Sequence, residues 1–287
     1  MTAPEPFPNP SSGPILAGVA DDARSDDAAR TAQALGRRLS RDVRFVHAVP
    51  NVILQDDESH ALERIEAARE AVARHLDAVL GAGARDRLEV SNGPADELLA
   101  RIAEARRASL LVLGPHAEPL PTDGTPLVEA LLDRGVRVPL WCQRGPWRDP
   151  RRVVVATDLS DASRDAARWA YGLARGLGAE LVVVHVFEPP WFAGGPPPEP
   201  VGPTYVVDQE RAQVREQLEA FVARAGVRCT ARLAEGVPAP TLLEQHHEDD
   251  VLVLAPHEPA LLGSVSREVL DEAHDPVVLV PPAPRER

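Results

Sequence analysis

Cysteine is scarce in this sequence, and so are the features of membrane and secreted proteins. The two cysteines, Cys142 and Cys229, lie in separate apolar strand-like runs, which favours buried free thiols over a disulfide. No apolar run reaches the ~18 residues of a membrane-spanning helix. The amino terminus, MTAPEPFPNPSSGP, lacks the charged region and apolar core of a signal peptide. We therefore expect a disordered leader on a cytoplasmic protein with no membrane partner.

The sequence also lacks the short motifs that most often signal catalysis. It contains no G-x-S-x-G nucleophile elbow, no Walker P-loop, no dinucleotide-binding G-x-G-x-x-G and no H-E-x-x-H. The run 246–250, His-His-Glu-Asp-Asp, has residue types that bind metals, but adjacent residues on a helix point about 100° apart. We interpret this run as a solvated helix end, and we expect neither a covalent nor a metal-dependent enzyme.

The charge of the chain is strongly negative. Its formal net charge is −13 and its pI is about 5.2. Both values argue against nucleic acid as a partner, because no basic stripe is available to neutralise phosphates. The arginines are scattered among acidic residues on predicted helices, which indicates solvated faces with local ion pairs.

An internal repeat organises the sequence. Asp27 and Asp165 each begin the motif Asp-Ala-Ala-Arg after a strand-like run, and they are 138 residues apart. The same offset relates His47 to His185. Further along, the motif Leu-Val-Leu-x-Pro-His recurs at an offset of 141. Two copies in the same order predict two homologous domains.

Each copy alternates short apolar runs with helical patterns. Strands that alternate with helices predict an α/β fold, with a parallel sheet and helices on both faces. Ligands of such sheets bind beyond the carboxyl ends of the strands, where the winding reverses. The predicted strands are 14–20, 43–49, 88–90, 110–113, 138–142, 152–157, 180–187, 228–233, 251–255 and 277–280. The predicted helices are 21–39, 60–80, 95–107, 127–134, 162–176, 206–225, 239–247 and 264–274.

The stretch 250–281 joins two of these strands through one helix. Gly263, Ser264 and Ser266 stand at the start of that helix. Free backbone N–H groups and the positive end of the helix dipole favour an anion there, phosphate above all. An ordinary helix start, with Ser264 capping its own first turn, explains the same residues. The spacing leaves both interpretations open.

This stretch resembles the carboxyl-terminal third of a universal stress protein domain. Nucleotide-binding members of that family carry G-x2-G-x9-G-[ST] between the fourth strand and the last helix. The segments GSVS at 263–266 and PVVLV at 276–280 match the family closely. Ala255 stands at the first glycine position, Glu258 stands at the second, and only residues 259–262 separate Glu258 from Gly263. The phosphate-binding end is therefore present, and the glycine-rich arc before it is shortened.

The resemblance covers residues 12–147 and 149–282. It implies two tandem Rossmann-like domains of the adenine nucleotide alpha hydrolase-like type. Each would be an open five-stranded parallel sheet of order 3-2-1-4-5 with helices on both faces. In the family the last strands pair across a dimer, so strands 138–142 and 277–280 are expected to pair within this chain as a pseudo-dimer. Further association into a homodimer stays open, and no protein partner is indicated.

The resemblance also implies a nucleotide site in the second domain, with ATP and magnesium as the expected ligands. Asp158 would lie near the ribose, the adenine or the metal, and it is equally well placed to cap the next helix. Val186 falls where the family lines its adenine pocket, and His257 is a loop histidine in reach of a phosphate. The implied site residues are Ala156, Thr157, Asp158, Val186, Leu254, Ala255, His257, Gly263, Ser264, Val265 and Ser266.

The first domain carries a weaker version of this site. Ala20 stands opposite Asp158, and the loop 115–123 contains three prolines and no glycine. Pro126 and Leu127 stand where the second copy has Val-Ser, and the proline is expected at the first position of its helix. It removes an N–H group that would otherwise meet a phosphate. We expect this copy to be structural.

Two functions follow from these expectations. The first is a stress-response binding protein that holds ATP or a related adenine nucleotide without rapid turnover, which Asp158 and GSVS favour. The second is a scaffold that has lost nucleotide binding and acts through protein partners, which the shortened arc favours. A slow nucleotide hydrolase would need a general base or a metal cage, and the sequence supplies neither.

Overall fold

The structure is a computed structural model that describes residues 13–49, 58–114, 126–189, 203–256 and 262–282. The predicted leader and the predicted site residue His257 lie outside these ranges. We refer to residues 13–142 as the first half of the chain and to residues 152–282 as the second half.

The first half alternates strands with helices as the periodicity predicts. Its described strands are β1 (Ile15–Gly18), β2 (Val43–Val49), β3 (Leu88–Asn92), β4 (Leu110–Leu113) and β5 (Leu140–Cys142). Its described helices are α1 (Asp26–Leu39), α2 (Glu58–Leu80), α3 (Ala95–Ala105) and α4 (Leu127–Asp133).

The second half repeats this order of elements. Its described strands are β6 (Arg152–Ala156), β7 (Glu180–Phe187), β8 (Thr230–Glu235), β9 (Asp250–Leu254) and β10 (Val277–Leu279). Its described helices are α5 (Asp161–Leu177), α6 (Pro203–Ala225), α7 (Pro238–Glu244) and α8 (Ser264–Glu272).

All ten of these strands form one sheet, in the order β3-β2-β1-β4-β5-β10-β9-β6-β7-β8. Within each half, neighbouring strands are parallel, and the predicted order 3-2-1-4-5 is confirmed twice. At the seam, β5 and β10 pair antiparallel, with Trp141 opposite Val278. This pairing within one chain was also predicted. The two open sheets are therefore one continuous sheet, because each half covers the other's exposed edge at the seam.

Each face of the sheet has an apolar core that crosses the seam. On one face, Phe45 of β2 and Phe221 of α6 belong to the same buried cluster. On the other face, Leu131 of α4 and Leu270 of α8 share a second cluster. Helices α1 and α5 also approach each other closely at Gly176 of α5. A Cβ at this position would lie 2.4 Å from a methyl group of α1, so only glycine allows this contact. The two halves are thus packed as one body.

The structure corrects two predicted elements. The predicted helix 21–39 starts as an α-helix only at Asp26, because a 3-10 turn (Ala23–Ser25) precedes it and Asp22 caps that turn. The predicted helix 239–247 ends at Glu244, so the run 246–250 follows the helix, and only His247 and Glu248 of the run are exposed. Its His246 side chain is only 5% exposed, and Asp250 is buried.

The two cysteines are free thiols, as predicted, but they differ in burial. Cys142 on β5 is fully buried, and desolvation raises the pKa of its thiol to about 12. Cys229 immediately precedes β8 and is only half-buried, and burial again raises the pKa of its thiol. The predicted burial is therefore confirmed for Cys142 and only partial for Cys229. No described helix has the length and apolarity to span a bilayer.

Candidate functional site

A pocket of about 300 Å³ lies beyond the carboxyl ends of β6, β7 and β9. The starts of α7 and α8 complete its walls. Because β7 and β9 lie on opposite sides of β6, this is the point where the winding of the second half reverses. The topology of open α/β sheets places ligands at such a point.

The structure brings ten of the eleven implied site residues together around this pocket, which we call the β6–β9 pocket. The remaining residue, His257, lies outside the described part of the chain, and the binding role of all eleven stays a prediction. The ten are Ala156, Thr157, Asp158, Val186, Leu254, Ala255, Gly263, Ser264, Val265 and Ser266. The pocket also has lining residues that the sequence did not indicate, namely Ser163, Val184, His185, Pro238 and Leu242.

The turn between β6 and α5 forms the polar side of the pocket. Thr157 Oγ1 accepts a hydrogen bond from the Leu159 N–H at 2.9 Å and lies 2.8 Å from Ser163 Oγ. Leu159 takes a left-handed φ of 67°, an uncommon conformation for a branched side chain that these bonds hold in place. The turn is therefore rigid at the point where it borders the pocket.

Asp158 is not the cap of α5, although the sequence made that role as plausible as ligand binding. Its Oδ1 accepts a hydrogen bond from the Ser160 N–H at 3.0 Å, and Ser160 itself is the cap. The Ser160 Oγ accepts from the Ser163 N–H at 3.2 Å. Asp158 supplies the one carboxylate among the described residues that line the pocket.

His185 is a lining residue that sequence reasoning missed. Its Nδ1 lies 2.7 Å from the Thr157 carbonyl oxygen. Because a carbonyl oxygen only accepts, Nδ1 carries a hydrogen in this contact. His47 makes the same contact with the Val19 carbonyl in the first half, at 2.8 Å. The sequence contained a sign of this contact, because histidine recurs at the 138-residue offset.

The start of α8 forms the opposite side of the pocket. Gly263 is the residue before the helix, and no side chain caps it, so the interpretation in which Ser264 caps its own first turn does not hold. Ser264 is instead the first helical residue, and Ser266 is buried in the first turn. No acidic residue lies in that turn. The N–H groups of a helix's first turn and its positive dipole end favour an anion.

The remaining wall of the pocket is apolar. Val184 and Val186 of β7, Leu242 of α7 and Leu254 of β9 line it. No arginine is among the described lining residues. No described group of three or more His, Cys, Asp or Glu side chains is placed to hold a metal ion. The arrangement suits a ligand with an anionic group at α8 and a flat apolar group against the strands.

The equivalent region of the first half keeps His47 but has different residues at several other positions. Val19 and Ala20 replace Thr157 and Asp158. Gly114 replaces Ala255, and a Cβ on Gly114 would lie 3.1 Å from the Arg24 carbonyl oxygen. Pro126 is the residue before α4, not the first residue of the helix as the sequence predicted.

The topology defines a tandem pair of Rossmann-like α/β units. The model of the Universal stress protein family matches residues 12–132 and 150–281. The chain belongs to the universal stress protein family.

Relatives of this chain include proteins that match nearly its whole length. A universal stress protein of Mycolicibacterium smegmatis is 29% identical over 301 residues, which cover 93% of this chain and 97% of that protein. The crystal structure of a universal stress protein from Archaeoglobus fulgidus covers 96% of this chain and 99% of that chain, with 18% identity and a TM-score of 0.61. A universal stress protein in complex with cAMP matches 46% of this chain and 96% of its own, with 25% identity and a TM-score of 0.34.

Proposed function

We propose that this universal stress protein binds an adenine nucleotide in its second half and holds it without rapid turnover. The observation that carries the proposal is the β6–β9 pocket, where an uncapped helix start faces an apolar wall at the reversal point of the sheet. The ligand, ATP with magnesium or another adenine nucleotide, is part of the proposal.

Each side of the pocket suits one part of such a nucleotide. The N–H groups and hydroxyls of Ser264 and Ser266 would bind phosphate, and the Asp158 carboxylate would accept hydrogen bonds from ribose hydroxyls. The apolar wall formed by Val184 and Val186 would contact the base. Among these residues only Asp158 could bind magnesium, together with the phosphates of the nucleotide. This is compatible with the ion, which usually keeps several water ligands and binds only one or two protein carboxylates.

The absence of turnover rests on the side chains around the pocket. His185 is held at Nδ1 by the Thr157 carbonyl, and the Thr157 and Ser163 hydroxyls lie 2.8 Å apart. None of the described lining residues forms a nucleophile–base pair with an orienting third group of the kind that hydrolases use. The proposed role is therefore binding and signalling of nucleotide occupancy.

Thermal unfolding with and without nucleotide tests the proposal. A ligand at a hundredfold excess over its Kd stabilises the folded state by about 2.7 kcal/mol. We expect at least one of ATP, AMP and cAMP, each with and without magnesium, to raise the melting temperature of the wild type. cAMP is included because one solved family member holds it.

The variant Gly263→Glu tests whether any nucleotide-induced stabilisation comes from the β6–β9 pocket. A Cβ at Gly263 would meet no described atom within 4 Å, and a carboxylate at a helix start is compatible with the dipole, so the variant should fold. Its charge should repel phosphate and abolish the nucleotide shift. Gly263→Ala is the matched control and should keep the shift. If no nucleotide stabilises the wild type at millimolar concentration, the proposal is wrong.

The second candidate function is a scaffold that acts through protein partners. The short, glycine-poor connection from Ala255 to Gly263 favours it, because this connection has fewer backbone positions suited to wrapping a triphosphate. A wild type that shows no nucleotide shift, purifies without bound nucleotide and retains a defined protein partner would support this candidate.

A further inference from the structure

A second pocket, of about 450 Å³, lies at the amino ends of β2 and β3, in the first half of the chain. The last turn of α1, the connection 40–42 and the start of β2 form it, and Arg87, just before β3, also lines it. It shares no lining residue with the β6–β9 pocket. We call it the arginine pocket.

Positive charge is concentrated in the arginine pocket. Arg37, Arg41, Arg44 and Arg87 line it, and Asp42 is the one carboxylate among the described lining residues. The chain as a whole has a net charge of −13 and contains no lysine. Across the described residues, Arg37, Arg44 and Arg87 form no ion pair with a carboxylate. Most of the positive charge in this pocket is therefore not neutralised by neighbouring acids.

The backbone beneath these side chains is tightly fixed. Gly36 packs so closely against β2 that a Cβ there would lie 2.3 Å from a β2 side chain. Ser40 ends α1 with a left-handed φ of 53°, and the Arg41 N–H donates to the Gly36 carbonyl at 2.9 Å. The Arg87 guanidinium lies 5.2 Å from the centroid of the Phe45 ring, which restrains that side chain. The cationic surface is thus partly ordered before any ligand binds.

The second half shows that the fold does not need this charge. The same helix, turn and strand recur there, with Gly178 taking the left-handed turn position of Ser40. Arg175 is the counterpart of Arg37 and lies 5.8 Å from the centroid of the Tyr171 ring. The other three arginine positions are uncharged in the second half. They are Ala179, Val182 and Thr230, opposite Arg41, Arg44 and Arg87.

We propose that the arginine pocket binds a compact polyanion whose recognised group is a chain of two or three linked phosphates. The planar guanidinium fork matches pairs of phosphate oxygens, and a concave surface of one sign of charge concentrates anions. Asp42 and the carboxyl end of α1, which contributes about half a negative charge, do not balance Arg37, Arg44 and Arg87. A single phosphate would leave most of this charge unmatched, whereas linked phosphates would contact several arginines together.

Isothermal titration of the full chain with sodium tripolyphosphate tests the proposal. We expect saturable binding at low salt that weakens as salt rises, because the contact is ionic. The double variant Arg44→Gln/Arg87→Gln should weaken binding at least tenfold, which corresponds to about 1.4 kcal/mol. Arg37→Gln should also weaken it, whereas its counterpart Arg175→Gln and the exposed α3 variant Arg101→Gln should not. Circular dichroism confirms that each variant is folded.

A comparison of probes identifies the source of the phosphate chain. In the Gly263→Glu background, which closes the β6–β9 pocket to phosphate, equal affinities for tripolyphosphate and ATP indicate recognition of the chain alone. A tighter, arginine-dependent affinity for ATP indicates a nucleotide source. The proposal is overturned if millimolar tripolyphosphate gives no saturable heat with the wild type. It is also overturned if the Arg44→Gln/Arg87→Gln protein binds as tightly as Arg175→Gln.

Discussion

The two halves of this chain share their strands, helices and strand order but differ at both ends of the sheet. At the carboxyl ends, Thr157 and Asp158 border a pocket in the second half, and Val19 and Ala20 occupy the same positions in the first. At the amino ends, the four-arginine pocket belongs to the first half alone. The interior of the repeat is thus retained while the ends diverge, since packing restricts buried apolar positions more than loop positions.

The amino ends also differ in how the first and fourth strands of each half are joined. In the second half, Arg152 Nε donates to the Asp250 carboxylate at 2.8 Å, and both side chains are largely buried. In the first half, the Ser109 N–H and hydroxyl donate to the Pro14 carbonyl, at 2.9 and 3.2 Å. An ion pair in one half therefore replaces neutral hydrogen bonds in the other.

The largest expected effect comes from breaking this ion pair. Asp250→Ala should lower the free energy of unfolding by about 3–5 kcal/mol, because it leaves the Arg152 guanidinium buried without its partner. Ser109→Ala removes only a neutral hydrogen bond and should cost about 1 kcal/mol. Urea denaturation of both variants measures the difference. Equal costs would show that the two halves are joined with equal strength at this position.

A smaller effect should follow from removing a helix cap. Ser160→Ala deletes the hydroxyl that accepts from the Ser163 N–H, and it should destabilise the protein by about 1 kcal/mol. In the first half, Asp22 caps only a 3-10 turn, and its hydrogen bond with Arg24 holds the pKa of its carboxyl below the ordinary value. We expect Asp22→Ala to cost less. A larger loss for Asp22→Ala in thermal unfolding would reverse this ranking.

A pH-dependent difference is expected from His246, whose counterpart in the first half is Ala105. Burial is the main cause that lowers the pKa of His246 below 6.5, against the raising effects of Asp250 and Asp275. The unfolded chain therefore takes up this proton at a higher pH than the folded chain. Stability should be retained above pH 6.5 and lost as the pH falls below it. Denaturation midpoints between pH 7.5 and 5.5 measure this loss, and His246→Gln should reduce it. An equal loss in the variant would assign the pH dependence to other groups.

The smallest expected effect concerns thiol reactivity and leaves stability unchanged. Cys142 is fully buried with a thiol pKa raised to about 12, whereas Cys229 is half-buried. Alkylation by iodoacetamide at pH 8 should therefore modify Cys229 first in the folded protein. In denaturant both should react at similar rates. Early modification of Cys142 in native buffer, seen by peptide mass spectrometry, would show that the seam opens.

The order of the strands and their pairing at the seam were predictable from sequence. Both depend on hydrophobic patterns that occur twice in the chain, once in each copy of the repeat. The 138-residue offset, the all-apolar runs and the family resemblance placed β1 beside β4 and β5 beside β10. The grouping of residues such as Asp158 and Gly263 around one pocket followed from the same topology.

The details that escaped prediction depend on contacts between residues that are distant in sequence or on local capping choices. His185 bonds to a carbonyl 28 positions away, and His246 is buried against Asp275 from a different segment. The sequence did not decide whether Ser160 or Asp158 caps α5, because both residue types favour the cap position. The arginine pocket combines residues from α1, β2 and the segment before β3, which the sequence presents as scattered surface charges.

The antiparallel pairing of β5 with β10 has a consequence for how the two halves of such a protein can evolve. In a dimer of separate chains, the partner strand is lost on dilution, and every substitution appears twice. Here the short connection 143–151 keeps the partner strand at a fixed and high effective concentration. A substitution in one half leaves the other unaltered. One half is therefore free to acquire a new surface while the other keeps its pocket, and neither depends on the amount of protein present.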